Sequence, residues 1–127
     1  VRGLVGVGID LVDVDRLAAV MRRRPGLAER VFTDRERATT ATGTRVNERL
    51  AARFAAKEAT MKALGVGLGA FALRDVEVIV SDAGTPSLVL AGGALAVAEG
   101  RGAGTLHLSI THTAGSAAAV VVAESVG

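Results

Sequence analysis

The stretch that decides the fold is "RLAARFAAKEATMKALG", Arg49 to Gly65. Ala, Leu, Met, Lys and Arg dominate it, all good helix formers, so it predicts a helix over about 46–64. At about 100° per residue, Leu50, Phe54, Met61 and Leu64 fall on one arc. Charged residues crowd that arc: Glu58 lands just beyond Phe54 and beside Ala51, Lys57 falls between Leu50 and Leu64, and Lys62 stands one turn after Glu58. On a solvated helix surface, a Glu–Lys pair at i,i+4 contributes only about 0.2–0.5 kcal/mol. A carboxylate bordering an apolar arc needs a stronger partner than water and one lysine, which singles out Glu58.

Outward from this helix, "LVGVGIDLV" (4–12) reads as a short buried strand in which Gly6 and Gly8 permit close packing. "DVDRLAAVMRRR" (13–24) predicts a helix with Asp13 as its N-cap, stopped by Pro25-Gly26. "GLAERVF" is helical, and "TDRERATTA" opens a further helix with a Thr33–Glu36 capping box. After the long helix, "LRDVEVIV" (73–80) alternates as a strand, "SDAGTP" turns, and "SLVLAG" returns. A short helix in "GALAVAEGRG" precedes a second hairpin, 105–111 with 117–123, across "HTAGS". The order β-α-α-α-β-β-α-β-β predicts a single α+β domain over 1–127, an antiparallel sheet with the long helix packed on it.

Composition bounds the function. Of 127 residues half are apolar, chiefly Ala and Val, with three Phe and no Trp or Tyr. A core of such small side chains buries little area per residue, so oligomerisation is expected to supply more. The formal net charge is +2, but Arg22, Arg23 and Arg24 stand side by side, a patch suited to an acidic partner. With no Cys there is neither a disulfide nor a thiolate zinc site. No signal-peptide pattern and no apolar run of about 18–20 residues occurs, so a soluble cytoplasmic protein without a membrane partner is expected.

Asp10 follows a Val-Gly-Ile strand, where ligand-binding groups are commonly placed; capping the next helix is its alternative role, for which Asp13 and Asp15 compete. Two carboxylates from separate segments, without a His or Cys cluster, suit a hard cation such as Mg²⁺ that keeps waters and binds substrate phosphate. "GVGIDL" lacks the third glycine of a dinucleotide fingerprint, and "GVGLGAF" follows a helix rather than opening one. His112, among Ser109, Thr111 and Thr113, offers donors for phosphate or simply a polar turn; His107 is expected to point away from the core and is given no role.

Together "GVGIDLVDVDRL", "RFAAKEATMKALG" and "LSITHTAGSAAAVVV" resemble the small trimeric holo-acyl-carrier-protein synthases of the 4′-phosphopantetheinyl transferase superfamily, over nearly the whole chain. That resemblance implies transfer of the phosphopantetheine arm of coenzyme A to a serine of an apo acyl carrier protein, releasing adenosine 3′,5′-bisphosphate. It implies Asp10 and Glu58 as Mg²⁺ ligands, and Asp10, Glu58 and Lys62 as the catalytic set. Coenzyme A contacts would come from Arg53, Lys57, Lys62, Gly65 and Pro86, and from His112 and Thr113 of a neighbouring subunit in a homotrimer. Arg16, Val20, Arg23 and Arg24 would dock the acidic carrier. Double-domain relatives have an acid where this chain has Val12, and many relatives have a base where it has Thr85. The competing reading is a non-catalytic basic oligomer that holds coenzyme A or nucleotide phosphates. Without Tyr or Trp a base-stacking platform is absent, so no nucleic-acid partner is expected.

Overall fold

The computed structural model describes residues 3–126. In chain order the elements are β1 (Leu4–Asp13), α1 (Val14–Arg23), α2 (Leu27–Val31), α3 (Asp34–Thr40), α4 (Val46–Ala63), β2 (Val76–Val80), β3 (Pro86–Leu90), α5 (Gly92–Gly100), β4 (Ala103–His112) and β5 (Ser116–Ser125). This is the expected α+β order. Two antiparallel sheets result, one of three strands in the order β1-β5-β4 and one a β2-β3 hairpin. Among the described residues no helix is long and apolar enough to cross a membrane.

Helix α4 lies across the three-stranded sheet, and the reason is side-chain size. Gly6 and Gly8 point from β1 straight at the helix backbone: a Cβ on Gly6 would sit 2.0 Å from the Ala63 carbonyl oxygen, and one on Gly8 1.9 Å from that of Ala59. The helix answers with Ala51, Ala55 and Ala59, all fully buried, and β5 with Ala117, Ala119, Val121 and Ala123. The seam between helix and sheet is therefore made of alanines. Leu50 and Phe54, expected in the buried stripe, are only half-buried, because larger side chains there would hold the helix off the glycines.

Local chemistry sets the other boundaries. Asp13 caps α1 by accepting the Arg16 N–H at 2.9 Å, which leaves Asp10 without a capping role. Thr33 and Glu36 form the reciprocal capping box of α3. The strand expected over 73–80 is shorter, since Leu73–Asp75 make one 3₁₀ turn. Asp75 is drawn out of the strand by α5: its carboxylate accepts the Gly93 N–H (3.0 Å), and its carbonyl accepts that of Ala91 (2.9 Å).

The outer face of the three-stranded sheet is bare. Val7, Ile9 and Leu11 alternate outward along β1, and Leu11 is 72 % exposed. Val122 and Val120 stand opposite Val7 and Ile9 on β5, so the apolar surface spans two strands. Contiguous exposed apolar patches of this kind on a soluble domain commonly mark an interaction surface.

Candidate active site

Asp10 lies inside β1, toward its C-terminal end, as the strand expected over 4–12 implied. It follows Gly6 and Gly8 on the inward face of β1, opposite Ala119 of β5. The glycine row brings the strand against α4 so closely that Lys62 reaches across, donating to the Asp10 carboxylate at 3.1 Å and to the Ile9 carbonyl at 2.9 Å. Glu58, one turn earlier on α4, opens into the same cleft, which Phe54, Leu17, Arg16, Val20 and Ser116 also line. Burial pushes the Glu58 carboxyl above the usual carboxylate range, the negative charge of Asp10 adds to this, and Lys62 opposes it. The geometry thus assembles two acids and a base with one end of the α1 surface, where Arg16 and Val20 sit. Arg23 and Arg24 extend that surface as exposed residues at the C-terminal end of α1.

A second cleft lies elsewhere along α4. Arg53, Pro86 and His112 line it, together with Arg49, Ser81 and Thr39. Among the described residues two buried side-chain nitrogens lack a hydrogen-bond partner, Arg53 Nε and His112 Nδ1, and both residues line this cleft. His112 Nδ1 lies 3.4 Å from a Glu48 carboxylate oxygen, an ion pair when the imidazole is protonated. Burial lowers the Arg53 pKa from its ordinary value, with Glu36 opposing and Arg49 reinforcing that shift. Unpaired buried N–H groups are costly, and an anionic ligand would relieve them. The first and second clefts share no lining residue.

Lys57, Gly65 and Thr113, expected to contact coenzyme A, line neither cleft. Lys57 is fully buried, paired with Glu36 at 2.8 Å, and cannot reach a ligand; it is a core residue, which corrects its assignment to coenzyme A. Its helical position is one turn beyond Arg53, but there α3 and β2 close over the helix. Gly65 is the left-handed residue that ends α4 (φ 73°), and lies outside both clefts' walls. Thr113, in the β4–β5 turn, is exposed; its hydroxyl accepts the Ser116 N–H at 3.2 Å. His107 points outward as expected, 3.2 Å from Glu124.

Arg49 was missed. Its guanidinium donates to the carbonyls of Thr39, Thr40, Thr42 and Thr44 and so shapes the loop before α4, where Arg45 adopts a left-handed conformation. Thr42–Arg45 and His112 then form a third, polar recess. The sequence signal was the Arg49–Arg53–Lys57 spacing, one base per turn on a single side of the helix.

Fold and clefts together describe a small α+β domain with an acidic cleft and an anion-seeking one against a common helix. The sequence pattern of the 4′-phosphopantetheinyl transferase superfamily matches residues 6–119, and this chain belongs to that family. It is 50% identical to the holo-[acyl-carrier-protein] synthase of Frankia alni, over 96% of this chain and 98% of that one. Its structure superposes on the Plasmodium yoelii holo-ACP-synthase with a TM-score of 0.87 (25% identity, 100% and 99% of the two chains). A Bacillus anthracis holo-(acyl-carrier-protein) synthase, crystallised in complex with CoA (3′,5′-ADP), gives 0.80 at 36% identity over 97% and 98%.

Proposed function

We propose that this chain transfers 4′-phosphopantetheine from coenzyme A to a serine hydroxyl of an apo acyl carrier protein, in the cytoplasm. The observation that carries the reading is the meeting of Asp10, Glu58 and Lys62 in one cleft bordered by Arg16 and Val20. The serine oxygen attacks the pantetheine-side phosphorus of the diphosphate. The new P–O bond forms as the bond to adenosine 3′,5′-bisphosphate breaks, and the serine gives up its proton. Phosphoryl displacement asks for placed charge rather than covalent help. Lys62, held by Asp10, sets a cation where the leaving phosphate develops charge. For the serine proton the cleft offers two acceptors, the Glu58 carboxylate and a water oriented by Asp10.

The donor set fits Mg²⁺. Asp10 and Glu58 supply two hard oxygen ligands whose mutual repulsion a divalent cation would relieve. Among the described residues no group of three or more His, Cys, Asp or Glu could hold a metal, so the protein's share stays at these two carboxylates. That suits an ion which retains waters and takes phosphate oxygens. When bound, Mg²⁺ would neutralise diphosphate charge beside Lys62.

Coenzyme A phosphates fit the cleft of Arg53, His112 and Pro86. One chain keeps that cleft apart from Asp10 and Glu58, so a shared site calls for a second copy. The bare Val7, Ile9, Leu11 face supports assembly into a homotrimer with sites between subunits. The basic α1 end faces the acidic carrier, where Arg16, Val20, Arg23 and Arg24 combine steering charge with an apolar anchor. The deciding experiment incubates the protein with coenzyme A, Mg²⁺ and a panel of apo carriers from fatty-acid, polyketide and peptide synthesis. Intact-mass spectra should show one added phosphopantetheine unit; coenzyme A binding with no mass gain on any carrier would leave a binding module instead.

A further inference from the structure

The Lys57–Glu36 pair has no free valence for a ligand. Both side chains are fully buried, and the Lys57 ammonium lies 5.6 Å from the Phe32 ring centroid. Its three protons go to Glu36 Oε1 at 2.8 Å, the Leu73 carbonyl at 3.3 Å and the Val76 carbonyl. Glu36 is equally committed: Oε1 also accepts the Thr33 N–H at 2.9 Å, and Oε2 accepts the Val78 N–H at 2.8 Å. Val76 and Val78 are two apart on β2, so their groups lie on one edge, the edge opposite β3. A strand edge with unpaired N–H and C=O groups normally meets another strand. Here one lysine and one glutamate occupy that place.

The hairpin needs this, because it shares no backbone ladder with the three-stranded sheet. Its tip supplies Val80, Ser81, Gly84 and Pro86 to the wall of the Arg53/His112 cleft. Two further ties to α3 are peripheral, Thr33 Oγ1 to Glu77 at 2.5 Å and Arg35 to Glu77 at 3.9 Å. We propose that Lys57 and Glu36 are positioning residues for coenzyme A binding: their buried ion pair sets the height and register of the β2–β3 hairpin on α4, and so the width of the cleft that receives the nucleotide phosphates. An apolar pair could fill the same volume but could not hold the Val76 carbonyl and Val78 N–H. Buried ionic pairs often add little stability over apolar replacements, so their value here is geometric.

The inference rests on coenzyme A being the donor, and its test separates the two. Wild-type protein is first titrated with coenzyme A by calorimetry and assayed for transfer; no binding there defeats the donor reading. The variants Glu36→Gln and Lys57→Met/Glu36→Gln are then assayed at low temperature. The expected result is a KM for coenzyme A raised roughly tenfold, the scale of one lost charge-assisted contact, with carrier KM and saturating kcat within about threefold of wild type. A folded variant with wild-type coenzyme A affinity overturns the proposal, as does a fall in kcat at unchanged KM. If neither variant folds, the wild-type protein still decides. Linkage is reciprocal, so saturating coenzyme A must slow hydrogen exchange at the Val78 amide and its β2 neighbours. Unchanged exchange there overturns the proposal too.

Discussion

Gly8→Ala tests the tight seam on which the site depends. The added Cβ would lie 1.9 Å from the Ala59 carbonyl oxygen and 2.7 Å from the Ala63 nitrogen, both backbone atoms of α4 that no rotamer change can move aside. Relief requires β1 and α4 to part by about 1.5 Å, enough to bring the carbon to the near limit of ordinary contact at about 3.4 Å. Overpacking of this kind costs about 1–3 kcal/mol, and a clash with backbone on both sides belongs at the upper end. For a chain of this length that lowers Tm by roughly 10 °C. Activity should fall further than stability alone explains. Asp10 is two residues along the same face, and a misplacement of about 1 Å can cost on the order of 10²-fold in rate. The assay is kcat for carrier modification at a temperature where circular dichroism shows the variant folded, with Gly100→Ala as control. Nothing lies within 4 Å of a Cβ at Gly100, near the end of α5, so that variant should keep wild-type turnover. A folded Gly8→Ala protein with wild-type Tm and kcat would refute the close-approach account of β1.

Glu58→Gln should cut turnover by at least about 10²-fold, the usual loss for one charge-stabilising group. The same variant has a pH signature. The folded Glu58 carboxyl holds its proton more tightly than the unfolded one, so its stabilising contribution is present in acid and lost as pH rises through the raised pKa. Metal-free Glu58→Gln should therefore melt above wild type at alkaline pH and alongside it in acid; the opposite trend in thermal scans would contradict the burial of Glu58. Arg24→Glu should raise the KM for carrier, with the difference shrinking as salt rises, because Arg24 is exposed and its field is screened. Asp13→Ala removes the α1 cap and should cost about 1 kcal/mol by urea denaturation while leaving the coenzyme A KM unchanged.

The α1 cap, the Thr33–Glu36 box and the extent of α4 were readable because they depend on neighbours in sequence. Periodicity read α4 half correctly: of its arc Leu50, Phe54, Met61 and Leu64, the last two are buried, but Leu50 and Phe54 are only half-buried and the seam on the sheet is Ala51, Ala55 and Ala59. Hydrophobicity scales reward large side chains, but a helix seated on Gly6 and Gly8 is selected for smallness. Lys57 was misplaced for a related reason. A lysine between apolar positions looks like a ligand contact until its partner is known, and that partner, Glu36, comes 21 residues earlier in a capping box already explained locally. A residue that satisfies a local rule can carry a second, tertiary role that the rule conceals. Arg49 escaped notice because its partners are carbonyl oxygens, which leave no trace in side-chain identity.

Helix α4 has three working sides, and they support the proposal that a complete site is shared between copies of the chain. The alanine side is committed to the sheet. Phe54, Glu58 and Lys62 turn toward β1 and α1, where Asp10 waits. Arg49, Arg53 and Lys57 turn toward α3 and the hairpin, where one base shapes a loop, one lines a cleft and one is locked in the core. A helix is rigid across this width, so no small motion can fold the second side onto the third. In the proposed assembly, a diphosphate ester whose nucleotide occupies the Arg53/His112 cleft of one chain presents its reacting phosphorus to Asp10 and Glu58 of another. Val7, Ile9 and Leu11, exposed on the strand that carries Asp10 itself, are the surface proposed for that boundary. Replacing Ile9, 63% exposed, by Asp should therefore dissociate the proposed oligomer in light scattering and abolish transfer together, although the Ile9 side chain lines neither cleft and only its carbonyl meets Lys62. A monomeric Ile9→Asp protein with full turnover would show that a single chain suffices after all.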